Sequence, residues 1–457
     1  MHRHAARTLL LCLPLAACGD DPGDTTTEAA TTDAGGSTGA STGGAGEAVT
    51  YHRDAKAILD AKCVTCHSPG NIAPFSLATF ADAHAFSATL PPVLDDGTMP
   101  PWPPDAACRS YKHDRSLTAA EKQTLRDWVA AGAPEGDPAD APAPPEPPAA
   151  IDYDVALELP LAYTPTIAPD EYRCFLLPWP EDQDSFVTAL TVTPGSRQIV
   201  HHVIAYKIEP DDIPVYQALD DADPDPGYLC YGGPGGDTDG RAGWLGAWVP
   251  GSSGGETPAG TGVHVAPGSM LAVQLHYHTF PGAPPDRSKI QIRTAPTVER
   301  EAVVMPFTNV KWVQNTEPML IPAGEADVVH SFEADLAKFL PIAFPDGPFA
   351  PGEPFVLHAA ALHMHTLGKR GSLRLTGGAT DCLLDIPRWD FNWQGNYQLT
   401  APVTVRPGDK LGLECHWDNS AANQPVVNGV QQAPQDVVWG EGTGDEMCLG
   451  VVYITAP

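Results

Sequence analysis

Two sets of residues carry types and spacings that can do chemistry. Histidine comes in close pairs: His201 with His202, His276 with His278, and His363 with His365. Imidazole is the commonest side-chain metal ligand, and an ion shared by two rings needs such pairing. On a strand, residues i and i+2 share a face, so His363 and His365 can hold one ion while Met364 points the other way. Adjacent His201 and His202 would face opposite sides of a regular strand, so sharing an ion requires a strand end or a bulge there. The second set is Cys63-Val-Thr-Cys66-His67, the pattern of covalent c-type haem attachment. Its two thiols reach the two vinyl groups, and the next histidine is delivered to the iron.

The sixth iron ligand should be a thioether or another imidazole. Met99, in Gly97-Thr-Met-Pro-Pro-Trp102, lies downstream on a loop that its prolines would stiffen. The alternative is that Met99 only packs and His84 or His113 takes the iron. A haem with both axial positions filled serves electron transfer. Redox and zinc readings of the CxxC are weaker, since the chain has no second CxxC and no surrounding βαβ pattern.

The elements that must position these residues differ along the chain. Residues 51–132 carry helical signals: Ile58 and Leu59 in a charged run before Cys63, and a capping box Thr118-Ala-Ala-Glu121 ahead of Leu125, Trp128 and Val129. This segment resembles a small monohaem cytochrome c. From residue 151 the chain consists of short alternating runs split by Pro-Gly turns, which predicts a mainly β fold of two antiparallel, jelly-roll-like sandwiches, 151–298 and 299–457. Between them and the haem segment lies 133–150, with seven prolines in 18 residues, read as a stiff spacer that keeps the parts close without a fixed interface.

At the start, His2, Arg3, His4 and Arg7 precede an apolar run from Leu9 to Ala17, too short to span a bilayer. Leu15-Ala-Ala-Cys18 resembles a bacterial lipoprotein signal. This implies cleavage before a lipidated Cys18, export to the periplasm or outer surface, and membrane contact through the lipid alone. Residues 19–50 hold almost no large apolar side chain and read as a flexible tether. The 457 residues carry a net charge of −31, which excludes a nucleic-acid partner needing clustered cations. Nine carboxylates and no cation lie from Glu209 to Asp239; bordering a metal cleft, they would favour cationic substrates.

Four motifs then carry a family resemblance. Gln-Ile-Val-His201-His202-Val, Leu-Gln274-Leu-His276-Tyr, His363-Met-His365-Thr-Leu-Gly-Lys and Gly440-Glu-Gly-Thr-Gly-Asp-Glu-Met447-Cys448 follow in the order found in the copper type II, ascorbate-dependent monooxygenases. The resemblance implies two copper ions: His201, His202 and His276 around an electron-transfer copper, and His363, His365 and Met447 around the copper where dioxygen and substrate meet. A thioether favours Cu(I), the state that binds dioxygen. It gives Gln274 a supporting catalytic place between the coppers and leaves His278 unassigned. The remaining histidines, His264, His330, His358 and His416, have no close partner in sequence.

The resemblance also implies a Cys415–Cys448 disulfide; Cys174–Cys230 is a plausible second bridge, permitted by an oxidising location. Cys108 and Cys382 are left over, as free thiols or a long-range pair. The implied reaction is hydroxylation of a C–H bond of a small organic molecule by dioxygen, one oxygen atom leaving as water at the expense of two external electrons. An external one-electron donor would feed them through the haem. One departure bears on substrate: where peptide-amidating members place a basic residue and polar groups that anchor a carboxylate, this chain has Ala361, Leu449 and Val451. An apolar or amine-bearing substrate is therefore expected. The rival expectation is an electron-transfer or copper-holding lipoprotein without oxygenase activity.

Overall fold

A computed structural model describes residues 48–457 except 70–72, 144–150, 236–241, 250–254, 346, 378–380, 392, 428–429, 441 and 443. The signal, Cys18, most of the tether, part of the proline run and the end of the acidic run lie outside the described residues. Among those described, no helix is long and apolar enough to cross a membrane.

The segment 48–140 is helical. A π-turn Tyr51–Ala55 runs into the helix Lys56–Lys62, followed by Phe80–Phe86, Leu90–Asp95 and Ala119–Ala130. The last helix starts on the expected reciprocal cap, with Thr118 Oγ1 accepting from the Glu121 N–H and Glu121 receiving the Thr118 N–H. Tyr51, Leu59, Leu94, Leu125 and Trp128 form its core. The start of the proline run folds back on this core: Trp128 Nε1 donates to the Pro134 carbonyl at 3.0 Å, and Ala133 is buried.

The remainder is mainly β. Ten strands form one path, in the order Val155–Glu158, Lys289–Ala295, Ser185–Thr193, Thr261–Val265, Arg300–Phe307, Ala242–Trp248, Val200–Ile208, Met270–His278, Asp170–Pro178, Tyr228–Leu229. The last strand of the chain, Leu449–Thr455, pairs with Arg300–Phe307 on one side and Phe355–His363 on the other. The two halves therefore share one continuous sheet. A second sheet of Val328–Ala334, Lys410–Trp417, Gly368–Thr376 and Asp381–Ile386 covers the C-terminal part. The first half has a main core and a smaller cluster around Tyr206, Tyr216 and Tyr228, the second half a single large core in which Trp417, Leu413, Met364 and Ile454 are fully buried.

The expectation of a helical segment without a fixed interface is corrected by the packing. Cys108 and Cys382, 274 residues apart, are joined in a disulfide. Around it Arg109 pairs with Asp381, the Asp105 N–H donates to the Asp385 carbonyl at 2.8 Å, and the Tyr111 hydroxyl donates to the Leu383 carbonyl at 3.0 Å. Tyr111 enters the C-terminal core, with Trp102 packed against the same core and edge-on to Tyr397. Apolar burial and a covalent link fasten the two parts where a stiff spacer without a fixed interface was expected.

Candidate metal centres

The first centre is built by three neighbouring strands. The ladder between Val200–Ile208 and Met270–His278 shifts register between Val200 and His202, so that His202 lies opposite His276 and His201 is the extra residue. That irregularity does what the sequence required of two adjacent histidines: it turns both rings to one side. The Nδ1 atoms of His201 and His202 are 3.4 Å apart, as are those of His276 and His202. One ligand atom from each of the three rings lies within 4.8 Å of the others. Metal–imidazole bonds of about 2 Å place ligand nitrogens at such separations, so the donor set fits one cation.

The other nitrogen of His276 is held from outside. Asp170 Oδ1 accepts from His276 Nε2 at 2.9 Å and from His278 Nδ1 at 3.1 Å. A carboxylate there fixes the tautomer that leaves Nδ1 free as ligand and raises its basicity. Tyr172, opposite His276 on the next strand, stacks on that ring with centroids 4.1 Å apart. Burial, reinforced by neighbouring imidazoles, holds His201 down to about 4 and His202 well below the usual histidine range. Both rings are neutral at pH 7, the form that binds metal.

The second centre lies at the end of Phe355–His363. His363 is its last residue; His365 follows in the turn, while the intervening Met364 is buried in the core as its opposite orientation required. His363 Nδ1 bonds Gln394 Oε1 at 2.6 Å, and His365 Nδ1 donates to the Asp445 carbonyl at 3.0 Å. Both Nε2 atoms are thereby left as lone-pair donors, and the ring centroids are 5.0 Å apart. Burial and the neighbouring His363 hold His365 down to about 3.

Met447, 6% exposed, stands two residues before Leu449, the register partner of His363, and next to Cys448, which is bridged to Cys415. Glu446 secures this turn from within. It is fully buried and accepts from the His365 N–H at 2.8 Å, the Leu367 N–H at 2.6 Å and Trp417 Nε1 at 2.8 Å. Burial pushes its carboxyl up to about 7, against the pull of these donors. Two neutral imidazoles, with the Met447 thioether on the turn that Glu446 ties to His365, are donor types suited to a soft, low-valent metal.

Phe391 lies between the centres. Its ring stacks on His201 with centroids 5.3 Å apart and meets His365 edge-on at 6.0 Å. The imidazoles of His363 and His365 also contribute to depressing His202. The clusters are thus neighbours across one aromatic ring.

Other residues singled out from the sequence take definite places. Gln274 is buried, and its amide donates to the Cys230 carbonyl at 2.7 Å, beside the Cys174–Cys230 disulfide. His264 bonds Asp184, His330 the Leu320 carbonyl, His358 the Thr455 hydroxyl, and His416 both Asp327 and Glu414. Within the acidic run, Asp223 faces the buried Arg173 at 3.5 Å. In the helical segment Cys63 and Cys66 are the two unbridged cysteines among the described residues. His67 is buried and its Nδ1 donates to the Phe75 carbonyl at 3.2 Å, leaving Nε2 as the ligand atom. Burial pushes the Cys63 thiol up to about 12, whereas a redox CxxC needs a depressed thiol. This donor set fits a covalently attached haem. Met99 is half-buried on its turn.

Asp170, Tyr172, Phe391, Gln394 and Glu446 escaped the sequence reading. Only Glu446, inside the Asp-Glu-Met-Cys run, had a readable context; the others depend on pairings far apart in the chain.

Residues 350–455 match the family described as copper type II ascorbate-dependent monooxygenase, C-terminal domain. This supports a copper-dependent oxidoreductase of the monooxygenase kind and covers the second centre. No curated protein matches the chain. A solved structure of the infectious bursal disease virus Gx strain is 10% identical over 68% of this chain and 84% of its own, with a TM-score of 0.12, and carries no argument.

Proposed function

We propose that this protein is a two-copper monooxygenase that hydroxylates a C–H bond of a small apolar or amine-bearing molecule, with electrons delivered through its own c-type haem. The observation that carries the reading is the pair of unlike histidine clusters, three imidazoles converging through Nδ1 in one and two imidazoles left with free Nε2 atoms in the other, both in contact with the Phe391 ring.

When bound, copper supplies one-electron redox chemistry and, at the thioether-containing set, affinity for dioxygen. The chain's own residues do the rest. Asp170, Gln394 and the Asp445 carbonyl orient the rings, while burial keeps them neutral. Ala361 lies directly opposite Val451, and His363 opposite Leu449. Since i and i+2 share a face, Ala361 and His363 flank the site on one strand and Val451 and Leu449 on the other. That wall presents no cation to a carboxylate, which supports an uncharged or amine-bearing substrate. In the helical segment Cys63, Cys66 and His67 would hold haem, with Met99 as the other axial ligand, and haem there supplies single electrons. The lipidated Cys18 would keep the exported protein at a membrane surface.

The test uses the full-length protein. Copper per chain and dioxygen uptake are measured with ascorbate and a panel of aryl-ethylamines and hydrophobic alkyl compounds. The reading expects two coppers and substrate-dependent uptake; Met447→Ala should abolish uptake while the three-imidazole copper remains. A copper-holding electron carrier would show copper and haem but no substrate-dependent uptake. Anaerobic reduction of the haem that left the Cu(II) signal unchanged would remove the haem from the proposal.

A further inference from the structure

One short stretch of chain touches both histidine clusters and the docked helical segment. It begins just after the strand Asp381–Ile386, which carries Cys382 of the disulfide to Cys108. Arg388 extends its guanidinium to the helical segment and donates to the carbonyls of Asp96 and Gly97, the latter at 2.6 Å. The next residue, Trp389, is buried; its Nε1 donates to the His365 carbonyl at 3.0 Å and its N–H to the Lys369 carbonyl at 2.9 Å. Phe391 stacks on His201 and meets His365. Gln394 bonds His363 with Oε1 and returns Nε2 to the Phe391 carbonyl at 3.0 Å.

We propose that Trp389, Phe391 and Gln394 are positioning residues, Trp389 and Gln394 for the second copper centre and Phe391 for both, and that Arg388, anchored on the helical segment, holds them in place. The inference rests on the copper reading above. It makes the helical segment part of the scaffold that shapes the centres, in addition to any electrons it delivers.

Three features make this more than incidental packing. Each contact falls on a different ligand or ligand-bearing backbone: a ring face at His201, a ring nitrogen at His363 and a carbonyl at His365. The stretch has little freedom to drift, because Gly368 admits the Trp389 ring: a Cβ there would stand 2.6 Å from Trp389 Cδ1. Finally, Arg388 grips with two donors on adjacent carbonyls, a planar fork that a lysine ammonium does not reproduce.

The deciding measurement is made on the full-length, copper-loaded protein: the Cu(II) electron paramagnetic resonance spectrum and copper affinity by chelator competition, with circular dichroism as a check on folding. Gln394→Ala should weaken the second copper by about 10–100-fold, the range for loss of a group that orients a ligand, and leave the first in place. Phe391→Leu should alter the spectra of both coppers. Arg388→Ala, which touches no histidine, should do the same, with Arg388→Lys recovering only part of the native spectrum. If Arg388→Ala does not fold, Arg388→Lys carries the test by the same spectral shift. Folded Arg388 variants with native spectra and affinities would overturn the proposal. Fewer than two coppers in the unmodified protein would instead overturn the copper reading on which it rests.

Discussion

At His276, His363 and His365 the ring nitrogen left for a metal is settled by one partner apiece, and these partners are unlike. Asp170 is a carboxylate on a neighbouring strand, Gln394 a neutral amide, and the Asp445 carbonyl belongs to the turn that carries Met447. All three oppose the depression that burial imposes on their ring, and Asp170 alone does so through its charge as well as its hydrogen bond. Asp170→Asn keeps the shape and an Oδ1 acceptor for the two imidazole N–H groups but removes the charge. It should weaken copper at the first centre by about 10–100-fold, read by chelator competition, with the second centre unchanged. Equal affinities in variant and parent would show that Asp170 only fills space.

Among the strands and turns, the element that controls the second centre is the turn from Met364 to Gly368. Its backbone N–H groups at His365 and Leu367 end on Glu446, its His365 carbonyl receives Trp389, and its glycine admits the indole. The turn makes one hydrogen bond of its own, from the Gly368 N–H to the His365 carbonyl at 3.3 Å, and contacts from Glu446 and Trp389 do the rest. Gly368→Ala drives a methyl into Trp389 and should cost about 1–3 kcal/mol through overpacking, together with a change in tryptophan fluorescence. A native melting temperature and native emission would mean that the indole moves aside freely. The first centre follows a different rule, because its register shift lies inside a ladder whose other hydrogen bonds persist on both sides.

For the molecule as a whole, the docked helical segment changes what kind of assembly this is. Its link runs through a disulfide, the Arg109–Asp381 pair, and Tyr111 buried in the C-terminal core. A covalent bridge between residues so far apart in sequence restricts the unfolded chain strongly, so Cys108→Ser with Cys382→Ser should lower stability by about 2–5 kcal/mol. The measured quantities are the unfolding midpoint and the sites of limited proteolysis, which should shift toward the helical segment. Unchanged midpoint and cleavage would mean that the non-covalent interface alone holds the parts together.

Much of the chemistry was legible in the residues. The Cys63-to-His67 run, the histidine pairs and Met447 name donor types, and alternation along a strand already told that Met364 turns from the face of His363 and His365. The need for an irregularity at His201 and His202 was also readable, because adjacent strand residues face opposite ways. That the chain is mainly β followed from the short alternating runs and their turns, local properties of the chain, whereas the single sheet shared by the two halves did not. Convergence was not local. Asp170 meets His276 across 106 residues, Glu446 meets His365 across 81, and Arg388 meets Gly97 across 291. Nor did the spacing of Cys108 and Cys382 carry any mark of a bond. The physical reason is that residue identity sets what a group can donate or accept, whereas its partner depends on how strands register and surfaces pack. Ligand types belong to the first kind of information; ring orientation, the phenyl ring between the centres and the docking of the helical segment belong to the second.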